Sequence, residues 1–198
     1  YYAYHFDESG QGKWKYKLVL MNSNFEVTQQ IDFETRNTWP AEGVLFNGTV
    51  FCIVSKAFYG FNAQYDFIDL EGKLVKSFKV EKFKKSQYAY RLTSFMQPIK
   101  NRGFLKFGPD LAGEDQVVEF LDNEGDVKYR IKPKTIAKKK GDPIDEELGY
   151  ALSTDSLLVL QAGGTYLDQR TLDNRTDSDL RIYRLRDGEE IGFIKNIH

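Results

Sequence analysis

The chain has 198 residues, with 28 Lys and Arg against 29 Asp and Glu, for a net charge of −1. So close a balance gives no electrostatic pull toward nucleic acid, and none is expected as a partner. Fifteen Phe and 12 Tyr suit strands that carry large rings into a core; no apolar run approaches the ~18–20 residues of a membrane helix.

Tyr1 to Phe6 reads as a strand, already under way where the sequence begins, so an upstream segment is expected. After a turn-rich DESGQG, Trp14 to Met21 alternates and sets Trp14, Tyr16, Leu18 and Leu20 on one face. Phe25 to Phe33 closes a first unit of three strands.

The central stretch, 44–80, is the clearest. Asn47-Gly48 separates Val44-Leu45-Phe46 from Val50 to Val54, and both residues accept the positive φ of a type I′ hairpin turn. The second run is almost wholly apolar, as in a strand buried on both faces. A Gly- and Asn-containing aromatic loop, Lys56 to Ala63, leads to a strand at Tyr65 to Asp69. Glu71-Gly72 then turns the chain into Leu74 to Val80, whose mixed pattern fits an outer strand.

Glu81 to Arg91 interleaves Lys82, Lys84, Lys85 and Arg91 with Phe83, Tyr88 and Tyr90. That pattern can bind single-stranded nucleic acid, but in a neutral chain a solvated connector outweighs it. Strands are next expected at Phe95–Ile99, Phe104–Phe107, Gln116–Leu121 and Val127–Ile131. Lys132 to Glu147, KPKTIAKKKGDPIDEE, reads as a charged surface excursion. The last unit takes Tyr150–Leu152, Leu157–Gln161, a long loop Ala162–Asp179, Leu180–Leu185 and Ile191–Ile197.

One corner recurs. Asn24, Gly72, Gly125 and Gly188 each follow an apolar strand and precede an alternating one, at separations of 48, 53 and 63 residues. Units of about 1–33, 44–80, 95–132 and 149–197 result. Four-stranded units of this kind are the blades of β-propellers. The expectation is a single all-β domain of consecutive antiparallel meanders, propeller-like and either partial or four-bladed, with a β-sandwich as the alternative.

Residues with chemistry are sparse. Asp168, Asp173, Asp177 and Asp179 in the last loop could offer oxygen ligands to Ca²⁺, but the EF-hand glycine and terminal glutamate are missing and an Asx-rich turn explains them better. His5 and His198 have no ligand-spaced neighbours, so neither zinc nor a Ser-His-Asp triad is indicated. Asp66, Asp69, Glu119 and Asp122 could pair as a glycosidase acid and base. Asp69 and Asp122, however, share one turn position, which favours turn hydrogen bonding. Cys52, the single cysteine, sits in the most apolar strand and reads as a buried, inert thiol. Asn47-Gly48-Thr49 and Asn174-Arg175-Thr176 fit the glycosylation sequon. No cofactor is indicated.

The run YYAYHFDESGQGKWKYKLVLMNSNFEV, with LFNGTVFCIV and FIDLEGKLVKSF, resembles uncharacterised exported β-rich proteins of Bacteroidota. That resemblance implies a periplasmic or cell-surface protein, a subunit of an envelope-associated complex, and transfers no catalytic residue. The leading expectation is a non-catalytic module that binds protein through exposed loop aromatics at Phe58, Tyr59, Phe61 and Tyr166. A carbohydrate-active propeller enzyme and a Ca²⁺-dependent binding domain at Asp173, Asp177 and Asp179 are the alternatives.

Overall fold

The computed structural model describes residues 2–8, 14–35, 41–56, 63–80, 95–109, 116–132, 145–154, 156–168 and 173–197. All the regular structure among them is β. The first sheet has three strands, β1 (Tyr2–Glu8), β2 (Trp14–Met21) and β3 (Val27–Thr35). The second holds β4 (Ala41–Phe46), β5 (Phe51–Lys56), β6 (Ala63–Ile68) and β7 (Leu74–Val80). The third holds β8 (Phe95–Ile99), β9 (Gly103–Pro109), β10 (Gln116–Leu121) and β11 (Val127–Ile131). The fourth holds β12 (Asp145–Ser153), β13 (Leu157–Asp168), β14 (Asp173–Arg184) and β15 (Glu190–Ile197). Each is a meander in which sequence neighbours pair. Pro98, which cannot donate to a ladder, lies on β8 at a sheet edge.

Two compact units divide the chain, 1–128 and 129–198. In the first unit three sheets pack face against face. Tyr16, Leu18, Ile31 and Phe33 of the first sheet form one core cluster with Val44, Phe51, Ile53 and Ile68 of the second. The second sheet's other face, with Cys52, Val54, Tyr65 and Phe67, forms another with Met96, Phe104 and Leu121 of the third. There the Phe67 and Phe104 rings meet edge to face at 5.3 Å. β5 is therefore buried on both sides along its apolar run Phe51 to Val54. In the second unit, Leu158, Leu160, Tyr183 and Leu185 are buried on the fourth sheet.

Three corners between the last two strands of a sheet are built identically. At Asn22, Asp69 and Asp122 the side-chain oxygen accepts the N–H groups two and four residues on. The residue three positions on donates its N–H back to the capping residue's carbonyl. That residue is left-handed: Phe25 at φ 63°, Gly72 at 82° and Gly125 at 76°. This is the three-residue hairpin loop with a G1 bulge. The expected left-handed residue Asn24 is thus corrected to Phe25. The capping oxygen of Asn22, held by Asn24 N–H and Glu26 N–H, fixes which residue must turn. Gly188, at φ 73°, closes a corner one residue longer, with Asp187 accepting from Glu189 N–H.

Two other expectations are corrected. The Asn47-Gly48 corner is not type I′: Gly48 alone of the pair is left-handed, at φ 104°. Asn47 precedes the turn, and its side-chain oxygen accepts from Thr49 and Val50 N–H. The segment 162–179 is not a loop. Its two arms continue β13 and β14 in unbroken antiparallel register from Leu157↔Arg184 to Asp168↔Asp173. The charged excursion is likewise shorter than expected, because β12 begins at Asp145.

Candidate functional site

Within each meander the two ends differ. Among the described residues, the β2–β3, β6–β7, β10–β11 and β14–β15 corners are short and carry side-chain caps, as do the β4–β5 and β12–β13 corners. The corner end is also tied from sheet to sheet in the first unit. Gln29, four residues past the left-handed Phe25, donates from Nε2 to Leu70 O in the second sheet's corner at 2.7 Å. Lys76, four past Gly72, pairs with Asp126 in the third sheet's corner. Within the second unit Tyr129, four past Gly125, donates its hydroxyl to Leu185 O at 2.6 Å. Asn47 adds a further tie, donating to Gly103 O and to Asn123 Oδ1 at 2.8 Å. Its amide is buried and spent on those bonds, so the sequon at Asn47 describes a structural residue.

The remaining connections within the sheets, 57–62 between β5 and β6, 110–115 between β9 and β10, 9–13 between β1 and β2 and 169–172 between β13 and β14, join strands at the end opposite the capped corners. Phe58, Tyr59 and Phe61 fall in the first of these and lie outside the described residues. Tyr166 stands in β13, opposite Arg175 of β14. Asp173, Asp177 and Asp179 are spaced along β14. An extended strand rises ~3.3 Å per residue and does not curl its own residues around one cation as a calcium loop does. Asn174 of the second sequon stands in the same strand.

The four carboxylates singled out as a possible acid–base pair each have a packing or turn role. Asp69 and Asp122 cap corners. Burial pushes the Asp122 carboxyl up, but the Lys128 ammonium and the Asp126 N–H outweigh that and hold it below the usual carboxylate range. Asp66 is buried, accepting from Gln64 Nε2 at 2.9 Å and from Ser77 Oγ. Glu119 receives Lys106 Nζ at 3.0 Å from directly across the β9–β10 ladder, with both side chains fully buried. Asp66 and Glu119 each stand six residues before a left-handed glycine, the same place in two sheets. Sequence reading missed Lys106. Only the β9–β10 register puts it opposite Glu119. Cys52 is buried with Sγ 3.3 Å from Met96 Sδ. Burial, and after it the Asp66 charge, raises its pKa well above the usual thiol value, so the reactive thiolate is suppressed.

Among the described residues no group of three or more His, Cys, Asp or Glu side chains is arranged to hold a metal ion, and no helix is long and apolar enough to cross a membrane. No protein-family model matches the chain, and no curated protein matches it with significance.

Proposed function

We propose that this chain is a non-catalytic protein-binding or assembly module, a propeller-like array of meanders presenting one loop-bearing end to its partner. The observation that carries this reading is the difference between the two ends of the sheets. One is closed by short corners that cap themselves and tie to the neighbouring sheet; the other carries the remaining connections, the longest of them 81–94 and 132–144 between sheets. A rigid scaffold with its variable connections gathered at one end is how β-architectures present binding surfaces. Face-to-face packing of successive sheets in the first unit supports blades over a two-layer sandwich. On the resemblance to exported Bacteroidota proteins, the partner belongs to an envelope-associated complex.

Phe58, Tyr59 and Phe61, in the connection after β5, are assigned as the anchors, since rings supply most of the energy in such contacts. The test is the double variant Tyr59→Ala/Phe61→Ala in the native host. Mass spectrometry of co-purifying proteins should show the partner depleted at least tenfold, with the melting temperature unchanged. An unaltered set of co-purifying proteins would overturn the assignment.

A further inference from the structure

We draw no further inference here: the strongest candidate, the cluster of buried Ser55, Gln64 and Asp66 on the second sheet's face toward the first, carries nothing because its two unpartnered oxygens, Ser55 Oγ and Gln64 Oε1, offer almost no surface to a water-sized molecule and so leave no room for a ligand beside them.

Discussion

A phenylalanine at φ 63° is an expensive way to turn a hairpin. Left-handed backbone costs a residue with a Cβ about 1–2 kcal/mol, and Gly72 and Gly125 avoid that cost at the same place. The first corner forms regardless because Asn22 caps it through two backbone N–H groups. Residue type misled the sequence reading here. Asn24 was the left-handed candidate because asparagine tolerates that region, whereas aligning the capping residues Asn22, Asp69 and Asp122 would have marked the third residue after each. Phe25→Gly is expected to stabilise the chain by about 1 kcal/mol, seen as a melting temperature raised by about 2–4 °C for a chain of this length. The Phe25 ring is 69 % exposed, so little burial is forfeited. A lowered melting temperature would show that contacts of the ring outweigh its backbone strain.

Paired strands hold what single strands cannot reveal. FLKF and VVEFL each read as an apolar strand with one stray charge, and only their register brings Lys106 and Glu119 together in a buried ion pair. The β13–β14 hairpin was illegible for the opposite reason. Its Gly, Asp, Asn and Thr content favours turns, while a long unbroken ladder supplies the backbone bonding that overrides it. A buried pair contributes little net stability, yet breaking it leaves a bare charge in the core. Glu119→Gln and Lys106→Met should therefore each cost about 3–5 kcal/mol in urea unfolding. The double variant Lys106→Met/Glu119→Met should fall within about 1 kcal/mol of the wild type, or above it. Additive losses in that cycle would mean the two charges are held by other groups and not by each other.

The order of sheets along the chain was legible because every corner joins strands adjacent in sequence. How the sheets cover one another was not, since a face such as Leu18-Ile31 looks alike whether its cover comes from the next sheet or from another molecule. In the first unit the cover is sequential: the first cluster joins sheets one and two, the second joins sheets two and three. Stacks of this kind open piecewise, because each layer touches only its neighbours. Leu18→Ala, a truncation of a fully buried side chain, should cost about 2–5 kcal/mol where it is felt. Hydrogen-exchange mass spectrometry should show where that is. Protection should fall most in β2 to β5, whose residues share the cluster with Leu18, and less in β9 and β10, whose Phe104 and Leu121 belong to the second cluster. The amides of β13 and β14, in the other compact unit, should change least. If protection falls equally in every strand, the chain unfolds as one cooperative body and the layered account of its stability is wrong. A loss confined to β2 and β3 would instead mean that the first sheet opens without disturbing the second, which the shared packing of Val44, Phe51, Ile53 and Ile68 argues against.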